Sequence, residues 1–151
     1  MDRLILFIAT GFGSGYLPKA PGTWGSLVGV ALWFFLRDLA VLPYLGVTAA
    51  LFVLGTLCAG SAEKIVDRAD PGLVVVDEIV GQILALLAAP HHPVAALLGF
   101  LTFRVFDIVK PFPADWLDRH IHGGLGIMLD DVMAGLYSLL MLQLAWRYVW
   151  P

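Results

Sequence analysis

Two pairs of adjacent carboxylates, Asp77-Glu78 and Asp130-Asp131, are set into or against long apolar runs, and this placement constrains the fold more than any other feature of the chain. Asp77-Glu78 follows Val74-Val75-Val76 directly and precedes Ile79-Val80. Burying two unpaired negative charges in such a stretch costs several kcal/mol, so the fold must bring something to neutralise them. A divalent cation does this well, because Mg²⁺ prefers oxygen ligands and takes one or two carboxylates together with water and substrate phosphate. An ion pair with Arg104 or Lys110 from a neighbouring helix is the alternative.

The apolar runs cover residues 24–36, 39 or 44 to 62, 73–89, 94–106 and 131–146. A full bilayer crossing needs about 20 apolar residues, fewer where a helix end is buried in protein. The chain is 60% hydrophobic and 14% charged, with a mean hydropathy of +0.86. An ordinary soluble domain is about 45–50% apolar and about 25% charged, so the excess calls for a lipid solvent. These features predict an all-α, multi-helix integral membrane bundle with about four to five membrane-embedded helices. At 151 residues it forms a single domain, 1–151, with no linker or internal repeat. The short apolar segment 4–9 lacks the length and cleavage site of a signal peptide. A net charge of −3 offers no basic field to nucleic acid, and the lone Cys58 lies in an apolar run that places it against lipid or in the core.

Alternating the runs across a membrane puts residues 14–25, 61–78 and 104–131 on one face, and Arg37-Asp38, residues 90–93 and the C-terminus on the other. Most ionisable groups then gather on a single side, which predicts a one-sided active site built from loops. Lys19, Lys64, Arg68, Arg104, Lys110 and Arg119 assign that side to the cytoplasm by the positive-inside tendency. The third run is short, and the orientation depends on its crossing. Trp24, Trp33, Trp116, Trp146 and Trp150 lie near run ends and read as interface anchors.

Asp130-Asp131 follows the segment GGLGIML at 123–129 and precedes the last apolar run. The pair can hold metal, or it can cap a helix whose N-terminus favours negative charge. The preceding glycines offer unshielded N–H groups to an anion. Arg104, Asp107 and Lys110 recur every three residues before Pro111 and so share one side of a helix. The two cations can hold phosphate oxygens, and Asp107 can serve as ligand or general base; a salt-bridge ladder within the helix is the competing role. Ser14, Lys19 and Thr23 lie in turn-rich pieces that can line a pocket, although Thr23 and Ser26 could equally cap the first membrane helix. His120 and His122 could be ligands, proton donors or head-group contacts.

Four fragments, FGSGYLPKAPGTWGS at 12–26, DE at 77–78 with Gly81, FRVFDIVKPFP at 103–113, and D-x₄-GG-x-GIM-x-DD-x₂-AG from Asp118 to Gly135, together resemble the phosphatidylglycerophosphatase A family across almost the whole chain. The resemblance implies a Mg²⁺-dependent enzyme of the bacterial cytoplasmic membrane that converts phosphatidylglycerophosphate to phosphatidylglycerol and phosphate. On the matching positions, the resemblance implies that Asp77, Glu78, Asp107, Asp130 and Asp131 are the metal and catalytic set, with Lys110 and Arg104 as phosphate partners. Two other lipid-enzyme classes are disfavoured. The chain has no D-G-x₂-A-R motif of a CDP-alcohol phosphatidyltransferase and no Ser-Gly-His element of a histidine-nucleophile phosphatase. A non-enzymatic cation-binding transport or structural subunit is the runner-up, and one-sided charge argues against it. Oligomeric state is not legible in the sequence.

Overall fold

The structure, a computed structural model, describes residues 1–149. Seven α-helices and one 3₁₀ turn, with no strand among the described residues, make up the chain. Helix α1 is Asp2–Ala9, the 3₁₀ turn Ser14–Tyr16, α2 Pro21–Leu36, α3 Val41–Val66, α4 Val76–Ala85, α5 Pro93–Val109, α6 Ala114–His120 and α7 Gly123–Val149. The all-α expectation holds.

Helix α4 is the axis around which the rest packs. Its contacts are chiefly with α7 and α2, and also with α3 and α5. Seven of its ten residues are buried, from Val76 to Ala85. Ten residues rise only about 15 Å, half the thickness of a bilayer's hydrocarbon. Only Val76–Ala85 of the 73–89 run is helical, a short inner helix: residues 71–75 enter it as non-helical chain, with Val75 N–H donating to the carbonyl of Ala9 at 2.9 Å, and the run still leads from Glu78 beside the start of α2 to His91 beside its end. The β-branched run Val74-Val75-Val76 disfavours helix until its last member, consistent with that start.

Small residues let the helices close on α4. A Cβ on Gly81 would strike the Asp131 carbonyl and the Phe103 ring, and one on Gly135 would strike the Gly81 carbonyl. On α2, Gly22 abuts the Glu78 carboxylate and Gly29 abuts Gln82. Such contacts set α2, α4 and α7 running in one direction, with α3 and α5 opposed. Tyr44 at the start of α3 donates to the Ile83 carbonyl at 2.6 Å, while Gly60 near its end lies against Gly124.

Two helices, α3 and α7, are long and apolar enough to cross a membrane, with mean hydropathies of 2.0 and 1.6. Only 22% of the most apolar stretch of α3 is buried, unlike the core helix of a soluble protein. Phe35, Leu42, Leu57, Ile108 and Leu140 are among the large apolar side chains left exposed. Cys58 is buried in the apolar core, as expected. Trp33 is 1% exposed and packs with Tyr44, Ile83 and Leu142, so the interface-anchor reading fails for it. Trp24 and Trp116 are exposed, and Trp150 lies outside the described residues.

Candidate active site

The first turn of α4 carries Asp77 and Glu78, where helix dipole and unsatisfied N–H groups favour negative charge. Opposite them, α7 starts at Gly123 and not at Asp131. Asp130 and Asp131 consequently sit in its third turn, 7% and 2% exposed, and the capping reading is overturned. The glycines of 123–126 form the opening turn of α7, so the N–H groups they offer belong to a helix N-terminus, and Gly123 and Gly126 line the cavity described below. Gly124 is pressed against the Thr56 carbonyl of α3, a contact that admits no side chain.

Asp77, Glu78 and Asp131 each present a carboxylate oxygen within 4.8 Å of the others. Asp77 Oδ1 and Glu78 Oε2 are buried and have no hydrogen-bond partner. Buried acceptor oxygens left in this state are costly, and three carboxylates converging is the kind of donor set that suits a hard divalent cation. The residues present therefore fit Mg²⁺.

The remaining two carboxylates are held by cations. Arg104 Nη1 is 2.5 Å from Asp107 Oδ2 one turn along α5, 3.8 Å from Glu78 Oε1 across to α4, and donates to Ser26 Oγ at 3.3 Å. The expected intrahelical pair and the expected reach toward Asp77-Glu78 are thus realised by a single guanidinium. Lys110 Nζ lies 2.7 Å from Asp130 Oδ2 and 3.1 Å from Asp118 Oδ1. Lys110 ends α5 at φ +46°, a left-handed conformation uncommon for a residue with a side chain, before Pro111. Burial pulls its ammonium toward neutrality, but hydrogen bonds and charge from Asp130 and then Asp118 outweigh this, and the net direction is above the ordinary lysine value.

The carboxylates and Lys110 face a cavity of about 320 Å³, and because the carboxylates stand on α4, α5 and α7 the expectation of a site built from loops is corrected to one built largely from helices. Asp77, Glu78, Asp107, Lys110, Asp130 and Asp131 line it, with Glu63, Asp70, Asp118 and His122 around them. Ser14, Lys19, Thr23 and Arg104 are not among its walls. Ser14 Oγ donates to the Thr10 carbonyl at 3.3 Å, and Lys19 is exposed. Helix α2 begins at Pro21 with no side-chain cap, so neither Thr23 nor Ser26 caps it. Ser26 is fully buried, bonded to the Gly22 carbonyl at 2.9 Å, and holds Arg104. Of the histidines, His122 reaches the cavity, whereas His120 stacks on Trp116 at 4.8 Å.

Sequence reasoning missed Ser26 as a partner of Arg104 and Asp118 as a partner of Lys110. Nothing in the local spacing signals Ser26, because it meets Arg104 across 78 residues. Asp118 opens the glycine-containing motif and could have been singled out on that ground.

The family model for phosphatidylglycerophosphatase A matches residues 7–146. A phosphatidylglycerophosphatase A of Escherichia coli (strain K12) is 40% identical over 134 residues, covering 87% of this chain and 77% of the relative. That of Haemophilus influenzae is 41% identical, covering 90% and 85%. A Bacteroides thetaiotaomicron protein provisionally named phosphatidylinositol-3-phosphatase is 42% identical, covering 94% and 93%. No solved structure matches the chain. The fold's inner acidic helix, its carboxylate trio and a match over almost its entire length lead to one conclusion: the chain belongs to the phosphatidylglycerophosphatase A family.

Proposed function

We propose that this protein is a Mg²⁺-dependent phosphatase of the bacterial cytoplasmic membrane, hydrolysing phosphatidylglycerophosphate to phosphatidylglycerol and phosphate. The observation that carries the reading is the single cavity in which three converging carboxylates and the Lys110 ammonium face one another. Carboxylates alone would repel a phosphomonoester, and cations alone would bind it without activating water; their combination suits hydrolysis.

Asp77, Glu78 and Asp131 would hold the ion, with the two orphaned oxygens as donors. When bound, Mg²⁺ would offset phosphoryl charge and lower the pKa of a coordinated water. Lys110 offers its ammonium to a phosphate oxygen, aimed by Asp130 and Asp118. Arg104, fixed by Asp107 and Ser26, compensates the Glu78 charge. Asp130 Oδ1, buried and without a hydrogen-bond partner, is the proton acceptor we assign to the attacking water. No covalent phospho-enzyme is needed.

The chain is read as multi-pass, with α2, α3, α5 and α7 in the bilayer, α4 enclosed among them, and the cavity opening to the cytoplasm. Lys64, Arg68, Lys110 and Arg119 on the cavity side, against Arg37 and Arg147, support this orientation. Exposed apolar side chains on these helices support the lipid contact.

Phosphate release by purified protein in detergent, with Mg²⁺ or EDTA, tests the reading. Phosphatidylglycerophosphate should be cleaved faster than phosphatidylinositol 3-phosphate, and only with Mg²⁺. Absence of release from either lipid would overturn the function; undiminished release by Asp77→Asn and Asp130→Asn would overturn the site.

A further inference from the structure

A second cavity, of about 200 Å³, lies between the C-terminal end of α2 and the loop that leads into α5. Gly22, at the start of α2, abuts Glu78, and Arg37 follows α2 fifteen residues later, so this cavity is roughly 22 Å from the carboxylates along the helix. Its walls are Trp33, Phe34, Arg37, His91, His92 and Pro93. None of them belongs to the site described above.

The cavity is built from two segments tied together. His91 Nε2 and the Arg37 carbonyl oxygen are 3.2 Å apart, and His91 Nδ1 lies 3.6 Å from Asp38 Oδ1. The Arg37 guanidinium is held over the Trp33 and Phe34 rings, 5.8 and 5.1 Å from their centroids. Stacking of this kind leaves the guanidinium edge available for bidentate hydrogen bonding in the plane. Arg37 Nε is buried and has no hydrogen-bond partner. Asp38 is the carboxylate that faces this group, through His91, and its side chain is 75% exposed.

We infer that this cavity binds the phosphodiester of an anionic phospholipid in the leaflet opposite the active site. The terminal nitrogens of the guanidinium fit phosphate oxygens, and the aromatic walls fit the amphipathic zone just below a head group. A lipid is favoured over a free anion by the surroundings: Phe34, Phe35 and Leu42 at the same end are 50%, 83% and 82% exposed and offer apolar surface where acyl chains would begin. The inference rests on the membrane placement in the proposed function, but not on the reaction.

Native mass spectrometry of the full chain, equilibrated in detergent with equal phosphatidylserine and phosphatidylcholine, tests it. Phosphatidylserine is chosen because it is neither substrate nor product of the proposed reaction. The wild type should retain phosphatidylserine preferentially. Arg37→Gln should reduce that retention about tenfold, the effect of losing one charge-assisted hydrogen bond, with phosphate release unchanged. Asp38→Asn, which removes the opposing charge, should increase retention, and it decides the matter alone if Arg37→Gln does not fold. Equal retention by wild type and variants would overturn the site. Loss of the bound lipid on adding millimolar inorganic phosphate would overturn the lipid in favour of a soluble anion. Retention without any phosphatase activity would leave the site standing and remove the proposed reaction instead.

Discussion

Within one cavity the carboxylates fall into two kinds. Asp107 and Asp130 each lie within 2.7 Å of a cationic nitrogen, whereas Asp77 and Asp131 pair with no cationic side chain among the described residues and Glu78 has only Arg104 at 3.8 Å. The physical consequence differs. A paired buried carboxylate stabilises the chain only as long as its partner is present, and removing it strands a charge. A cluster of mutually repelling carboxylates costs stability in the ion-free chain, a cost that the proposed Mg²⁺ would offset.

The sharpest way to break this distinction is to neutralise one member of each kind. Asp77→Asn or Asp131→Asn should lower phosphate release by roughly 10³-fold, yet in EDTA should raise the thermal midpoint by about 2–4 °C for each kcal/mol of repulsion relieved. A fall in that midpoint would mean the trio is held by contacts of another sort. Adding Mg²⁺ to the wild type should stabilise it, by about 2.7 kcal/mol at a hundredfold excess over Kd, and should not stabilise Asp77→Asn. Thermal melts across a Mg²⁺ series check this.

Asp107→Asn should behave oppositely to Asp77→Asn, losing about 3 kcal/mol of stability because the largely buried Arg104 would keep only its longer contact with Glu78. Lys110→Gln should reduce turnover about 10²-fold with a smaller stability loss, since Lys110 is only half-buried. Its folded pKa lies above the ordinary lysine value, so the ion pair's contribution is complete below that value and is lost only as pH rises through the folded pKa. Denaturation between pH 6 and roughly 10 should accordingly show no step that Lys110→Gln removes. The smallest effect is Ser26→Ala, a loss of about 1 kcal/mol and a few-fold in rate, from loosening Arg104.

Much of the site was legible in the sequence for a definite reason. Charge inside apolar sequence is expensive, so Asp77-Glu78 and Asp130-Asp131 stand out without any structure, as do Arg104, Asp107 and Lys110 at helical spacing. The expectations that failed depended on where helices begin. Gly123 and Gly124 look like a loop by propensity, but α7 starts there because Gly124 must fit against the Thr56 carbonyl of α3. Tertiary contact overrode propensity, and Asp130-Asp131 moved from a helix start to its third turn. The 73–89 run is helical over only ten residues because its first residues tie to Ala9 outside helical geometry, leaving α4 short. Ser14, Lys19 and Thr23 were placed in the pocket by loop composition alone, which carries no direction.

By itself, the sequence determined the all-α class, the family and the set of charged groups that the fold must bring together, because each follows from composition, periodicity or motif order along the chain. Only the tertiary structure decided which carboxylates are neutralised by Arg104 and Lys110 and which converge as a trio. That sorting depends on α2, α4, α5 and α7 closing over Gly22, Gly81 and Gly135, and the resulting contacts join residues scores of positions apart.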